Sequence, residues 1–302
     1  MAEVSKIEWT DSTFNPWVGC QKVSPGCDHC YAEAWSKRSG QVMWGPHGKR
    51  KRTSTANWKK PRDWQRNADQ FEHTTRHRHR VFCASLADVF DNRVPEQWRA
   101  DLFTLIRTTP RLDWLLLTKR PQNMARFLPA DWSTGYANVW LGTTAEDQKH
   151  FDMRWRSLAA TPAAVRFISY EPAIGPIMLG EARPDWIITG GESGPSARHC
   201  EAAWFRSMRD QCQGAGIAYF HKQWGTWQSN PLACEQGLLR AEVLRRDPHG
   251  KGGGLLDGRL WREFPTVAAP AHPSPAANAR SPRHTWPDRV PQIQLSFLPE
   301  RQ

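Results

Sequence analysis

Short apolar runs return along this chain every 21 to 33 residues, each followed by a longer stretch in which apolar side chains recur at helical spacing. The runs Val81–Ser85, Trp114–Thr118, Asn138–Gly142, Val165–Ser169, Trp186–Gly190 and Gly216–Phe220 predict strands. Glu96–Thr108, Asp147–Ala159 and Glu201–Gln213 predict helices between them, and Phe14–Val18 reads as one further strand. Strands alternating with crossovers of this length predict βα units and a parallel sheet. No glycine-rich fingerprint follows the first strand, which argues against a dinucleotide-binding sheet. The expected fold class is α/β, a partial (βα)6-7 TIM-like barrel. The barrel domain is expected over 1–264. Gly250–Gly254 predicts a turn, and the following LLDGRLWREFP a short edge hairpin covering the barrel. Residues 265–302, rich in Pro, Ala and Ser without either regular period, predict a tail with no core of its own.

Each predicted strand runs into polar or turn-forming residues. Ser85-Leu86-Ala87-Asp88, Thr118-Lys119-Arg120-Pro121, Gly142-Thr143-Thr144-Ala145-Glu146 and Ser169-Tyr170-Glu171-Pro172 come first. Thr189-Gly190-Gly191-Glu192-Ser193-Gly194 and His221-Lys222-Gln223-Trp224-Gly225 follow. In a βα barrel the C-terminal strand ends converge on one mouth, where sites form. Cys20, Cys27 and Cys30, in NPWVGCQKVSPGCDHCYAE, would stand at the same mouth. Three thiolates without a near fourth suit a [4Fe–4S] cluster whose last iron stays open to a ligand. A zinc completed by His29, Cys83 or a later residue is the main alternative, and inert buried cysteines a further one. Cys200, Cys212 and Cys234 carry less weight, Cys212 on a helix where a buried free thiol is common. A second metal site at His199-Cys200 has little support from spacing.

The other candidate positions each have a structural reading beside a binding one. Gly190 and Gly191 would let a ligand approach backbone while Glu192 accepts from an ammonium, or the same turn would serve only to cap a helix through Ser193. Lys119 and Arg120 would hold a carboxylate or phosphate, or form a buried salt bridge. Glu171 would bind hydroxyl groups or cap its strand, and Lys222 with Gln223 offers a cation and an amide. Asp88, Thr143 and Glu146 are secondary candidates, and Ser85 a loop cap.

Charge changes the picture of partners. The formal net charge is +11, and residues 37–80 hold thirteen Lys or Arg against three acidic residues. Four histidines and the aromatics Trp44, Trp58 and Trp64, expected to be exposed, are interleaved with them. Cations condense on phosphates and aromatics stack on bases, so this basic N-terminal insertion points to DNA or RNA. A solvated basic surface and a smaller phosphorylated substrate are the alternatives. The absence of an apolar leader or an 18-residue apolar run predicts no secretion and no membrane span. Seven cysteines without a leader then suggest a reducing cytoplasm.

The runs FNPWVGCQKVSPGCDHCYAE, LLTKRP, NVWLGTTAE, FISYEPAIGPI, DWIITGGESG and FHKQWG resemble the phage-associated three-cysteine-motif family, domain of unknown function 5131. The resemblance covers Trp9 to Phe264. That family is similar to radical S-adenosylmethionine enzymes of the spore-photoproduct-lyase-like branch. The resemblance implies a [4Fe–4S] cluster on Cys20, Cys27 and Cys30, with S-adenosyl-L-methionine on the fourth iron. It implies a 5′-deoxyadenosyl radical that takes hydrogen from a substrate, possible modification or repair of nucleic acid, and a reductant such as flavodoxin or ferredoxin. In enzymes of that kind a glycine-rich acidic turn holds the methionyl amine, here matched by Gly190, Gly191 and Glu192. Their usual cysteine spacing is three and two residues, whereas this chain has six and two. A nucleic-acid-binding module stabilised by metal, without radical chemistry, and a radical enzyme acting on a nucleotide or small molecule are the competing readings.

Overall fold

The computed structural model describes residues 5–194, 196–225 and 252–267. Cys234, part of the Gly250–Gly254 turn and the proline-rich tail from 268 onward lie outside the described residues. In chain order the elements begin with β1 (Ser12–Thr13), β2 (Trp17–Val18), a 3-10 turn at Pro25–Cys27 and α1 (Tyr31–Ser39). Then come β3 (Lys51–Arg52), α2 (Thr55–Arg66), α3 (Ala68–Thr75), β4 (His79–Cys83), α4 (Glu96–Arg107), β5 (Leu112–Thr118) and α5 (Met124–Phe127). After these are β6 (Val139–Thr144), α6 (Gln148–Ala159), β7 (Val165–Tyr170), β8 (Trp186–Gly190), α7 (Ala202–Ala215) and β9 (Ala218–Gln223). A hairpin of β10 (Leu255–Leu256) and β11 (Arg259–Leu260) completes the list.

Seven strands form one sheet in the order β1-β4-β5-β6-β7-β8-β9, every neighbouring pair parallel. The sheet is curled and flanked by helices, an open half-barrel of the partial βα type. After the hairpin, Arg262 bridges Phe220 antiparallel at the β9 edge.

Three expected strands shift for local reasons. Of Phe14–Val18 only Trp17 and Val18 are in a strand, after Pro16, which has no N–H to give a ladder. Ser12 and Thr13 pair with β4, while Trp17 and Val18 leave the sheet and pair antiparallel with β3. The first long strand starts at His79 because the imidazole Nε2 meets the Ser12 hydroxyl at 2.8 Å and the backbone pairs with Leu112. The last begins at Ala218, since Gly216 at φ +68° closes α7 in the left-handed region that glycine adopts freely.

The basic stretch at 37–80 is built structure. α2 is capped by the Ser54 hydroxyl, which accepts from the Asn57 N–H. Trp58 and Trp64 are half-buried against the core, and the Trp58 indole donates to the Pro16 carbonyl at 3.2 Å. Arg50 is buried in an ion pair with Asp91 at 2.6 Å, and Arg52 pairs with Asp101 at 2.6 Å over the Trp58 ring. The expectation that these tryptophans are exposed is therefore corrected: apolar faces are satisfied inward, and only some of the cations reach water.

Alternation along the strands sorts the core into two layers. Val81, Trp114, Leu116, Leu141, Ile168, Ile187 and Tyr219 face the helices. Phe82, Leu115, Trp140, Phe167, Trp186, Ile188 and Phe220 face inward, where Trp9 packs among them. Trp9 lies 4.6 Å from Phe82 and 6.3 Å from Trp186, ring centre to ring centre, and Phe264 lies 5.1 Å from Trp186. These rings fill the lower part of the lumen. Room for them comes partly from Gly142, where a Cβ would stand 2.3 Å from the Phe167 ring. Gly142→Ala is expected to cost about 1–3 kcal/mol through overpacking. Gly214→Ala, on α7 with nothing within 4 Å, should be neutral or slightly stabilising. Urea denaturation of both variants checks the contrast.

Two buried imidazoles predict acid sensitivity. Burial pushes His79 down to about 4 and His221 down to about 3, the latter held through Nδ1 at 3.0 Å from the Thr189 hydroxyl. Both stay neutral in the fold while the unfolded chain protonates them near 6.5. Their stabilisation is complete above pH 6.5 and declines as pH falls toward 4 for His79 and toward 3 for His221. The His79 share is roughly 3 kcal/mol. Denaturation midpoints measured from pH 7 to pH 4 should fall steadily; a flat profile would contradict it.

Candidate functional site

Above the aromatic floor the inward positions change character. Ala84, Ser169 and Lys222 stand two residues beyond Phe82, Phe167 and Phe220, and with Leu117 and Thr144 they line a cavity of about 370 Å³ over Trp9 and Phe82. The cysteine segment forms its opposite wall. Gly19 bridges Ala87 after β4, and its N–H donates to the Leu86 carbonyl at 3.0 Å, which brings Cys20 to the mouth. Cys27 ends the 3-10 turn, and Cys30 is the N-cap of α1. All three thiols are free, half-buried and line the same cavity. So do Lys119, Arg120, Glu171, Gly191, Glu192, Lys222 and Gln223. Seven strand-end positions spread over more than a hundred residues thus meet the three cysteines at one place.

Their contacts are specific. Arg120 donates to the Cys20 sulfur at 3.5 Å, to Asp88 at 2.8 Å and to the Gln21 carbonyl at 2.9 Å. Burial pushes the Cys20 thiol up to about 12, aided by Asp88 and opposed by Arg120. The Arg120–Asp88 pair is the buried salt bridge offered as the structural alternative, and it also touches a cysteine. Lys119 gives its backbone N–H to Asp88 at 3.2 Å. The Lys222 ammonium pairs with Glu171 at 3.2 Å, and the Gln223 amide donates to Ser193 at 3.0 Å.

The glycine-rich turn differs from its expected geometry. A Cβ on Gly190 would stand 2.4 Å from the Glu171 carboxylate, and one on Gly191 would stand 2.1 Å from the Trp224 carbonyl. The space those glycines leave is filled by the chain itself. Glu192 accepts from Arg198 and from His29, whose Nδ1 lies 3.0 Å away. Burial raises the Glu192 carboxyl, but the Arg198 and His29 hydrogen bonds outweigh it and hold it below the usual range.

Glu146 is a second anchor. It pairs with Arg154 at 2.6 Å in the interior and accepts from the Gly26 N–H at 3.4 Å. Burial pushes this carboxyl up, and Arg154, the Ser24 hydroxyl and Lys119 together bring it below the usual range. A Cβ on Gly26 would meet that carboxylate at 3.1 Å, so glycine there allows the approach. Thr143 is buried and donates to the Thr118 carbonyl at 2.9 Å, a strand-end tie. Ser85 accepts the Tyr31 hydroxyl on its carbonyl at 2.7 Å. Arg198 has no motif of its own. His29 is visible in the sequence only as a possible zinc ligand.

Cys83, Cys200 and Cys212 are buried in the core, and burial pushes Cys200 and Cys212 up to about 12. Among the described residues, no three His, Cys, Asp or Glu side chains are gathered as a metal site. The donor set nevertheless fits an iron–sulfur cluster in chemistry: three half-buried thiols on one cavity wall, with His29 committed to Glu192 and no fourth sulfur among the described residues lining that cavity.

A curled parallel βα sheet, plugged by aromatics below and carrying three thiols at its C-terminal mouth, defines a partial-barrel protein with a cysteine-lined candidate site. The chain belongs to the family described as protein of unknown function (DUF5131), whose model matches residues 4–265. Among curated proteins none matches. The chain is similar to a solved structure of a doubly substituted spore photoproduct lyase with bound AdoMet and dinucleoside spore photoproduct, at TM-score 0.36 and 12% identity. That likeness covers 68% of this chain and 54% of the other, so this chain spans about half of that protein's length. No helix among the described residues is long and apolar enough to cross a membrane.

Proposed function

We propose that this protein is a radical S-adenosylmethionine-type enzyme that holds a [4Fe–4S] cluster on Cys20, Cys27 and Cys30 and acts on nucleic acid at the barrel mouth. The observation that carries the reading is the set of three half-buried thiols on one wall of the cavity, above a closed apolar floor. When bound, a cluster of this kind with S-adenosylmethionine at its open iron supplies the electron that cleaves the sulfonium carbon–sulfur bond, releasing a 5′-deoxyadenosyl radical for hydrogen abstraction. The protein's share is positioning and shielding. Arg120 steadies Cys20 and offsets the charge of a thiolate there. Trp9 and Phe82 present an apolar floor, and the Glu171–Lys222 pair offers an acceptor and a cation on the cavity wall. Reduction would come from a small electron-transfer protein such as a flavodoxin or ferredoxin.

Nucleic acid is favoured by where the basic stretch attaches. The Gly45 N–H donates to the Cys20 carbonyl at 3.0 Å, and Val18 pairs with Lys51, so this loop stands on the cysteine segment. Trp44 lines the cavity, while Lys49, Lys51, Lys59, Arg62, Arg66 and Arg76 are exposed nearby in sequence.

Anaerobic reconstitution tests the reading. About four irons per chain are expected, with a reduced-cluster spectrum altered by S-adenosylmethionine and 5′-deoxyadenosine formed on adding dithionite. An intact cluster that never cleaves S-adenosylmethionine would favour a metal-stabilised nucleic-acid-binding module. Neutralising Lys49, Lys51, Lys59 and Arg62 together should flatten the salt dependence of oligonucleotide binding by a slope of about three to four. An unchanged slope rejects that face as the main contact.

A further inference from the structure

We infer that Glu192 and Arg198 are positioning residues that lock the cysteine-bearing turn onto the end of β8, and that Glu192 is not the acceptor for an incoming amine. A carboxylate offers about four lone-pair sites. Oε2 of Glu192 takes the Arg198 backbone N–H at 2.9 Å, the Arg198 Nε at 2.9 Å and the His29 Nδ1 at 3.0 Å. Oε1 takes Arg198 Nη2 at 2.6 Å. Three donors saturate Oε2, the Arg198 guanidinium holds Oε1, and the side chain is only 6% exposed.

Arg198 passes this connection onward. Its Nη2 also donates to the Pro25 carbonyl at 2.8 Å, at the start of the turn that ends in Cys27. Its Nη1 lies 3.4 Å from the Asp28 carboxylate, an exposed contact of small weight. His29, between Cys27 and Cys30, completes the other side. The turn is therefore gripped before Cys27 through Pro25 and after it through His29, with Glu146, just beyond β6, holding the Gly26 N–H. Two planar charged groups in a bidentate arrangement fix orientation as well as distance. The backbone under Cys27 and Cys30 is set by the protein before any metal arrives, and the thiol side chains remain the parts that move. Cys20 lies outside this grip, held by Arg120 and Asp88 instead.

The significance for cluster loading rests on the function proposed above; the lock itself does not. The test uses the full chain, reduced and metal-free, with alkylation of each cysteine followed by mass spectrometry. Arg198→Ala and Glu192→Gln should raise the labelling rates of Cys27 and Cys30 by about tenfold or more, in line with losing charge-assisted hydrogen bonds. Cys20, and the buried Cys83 and Cys212, should keep their rates, which a general loss of structure would not allow. After reconstitution at high iron, Glu192→Gln should bind S-adenosylmethionine as the unaltered protein does. Unchanged labelling with weakened S-adenosylmethionine binding in Glu192→Gln would overturn the inference and return Glu192 to a ligand role. Equal acceleration at all cysteines would overturn it too. If the labelling pattern appears but the unaltered chain takes up no iron, the lock stands and the cluster reading fails.

Discussion

Cys27→Ala is expected to leave the anaerobically reconstituted chain with almost no cluster iron, against about four atoms per chain in the unaltered protein. A three-thiol site has no spare ligand, so losing one leaves two sulfurs, too few to retain a cubane beside water. The fold should hardly notice. Cys27 is half-buried at the end of a 3-10 turn, and its sulfur meets the Ser24 hydroxyl at 3.9 Å. A change of roughly 0.5 kcal/mol or less is expected for such a position. Cys212→Ala supplies the opposite pattern, because that thiol is fully buried on α7. It should keep its iron and lose stability, by about 1 kcal/mol for the packing left unfilled. Iron and sulfide analysis alongside urea denaturation separates the two. Full iron retention in Cys27→Ala would remove Cys27 from the ligand set.

Glu146→Ala is expected to be the most destabilising of the carboxylate substitutions, by about 3–5 kcal/mol. It would strand Arg154, 1% exposed, as a buried charge left with the Thr144 carbonyl at 2.8 Å. It would also release the Gly26 N–H. Asp101→Ala, which breaks the half-exposed pair with Arg52, should cost about 1 kcal/mol or less. Pairing Glu146→Leu with Arg154→Met should recover much of the loss, since apolar replacements of a buried ion pair are often tolerated. Denaturation midpoints for the four chains check the ranking. A Glu146→Ala chain as stable as Asp101→Ala would show that Arg154 finds another partner.

The sheet was largely legible because its strands are buried on both faces and so read as apolar runs. β8 spans Trp186–Gly190 as expected, and α4, α6 and α7 lie within two residues of their predicted ends. What escaped were the elements without a wide apolar stripe. α2 carries Pro61 and several cations, and it is held by contacts of Asn57 and Trp58 with the segment around Asn15 and Pro16. No local pattern encodes that. The cysteines and strand ends could be placed at one mouth by topology alone. The occupants of the glycine-rich turn could not, since Glu192 meets His29 across 163 residues and Glu171 fills the space over Gly190. Sequence marks where a glycine lies, but not what moves in against it.

The aromatic stack at the base of the lumen also has a kinetic meaning. With Trp9, Phe82, Phe167, Trp186 and Phe264 wedged together there, nothing enters from beneath. A guest of this chamber therefore comes in over the rim, past the cysteine-bearing segment, and the packed base is no second door.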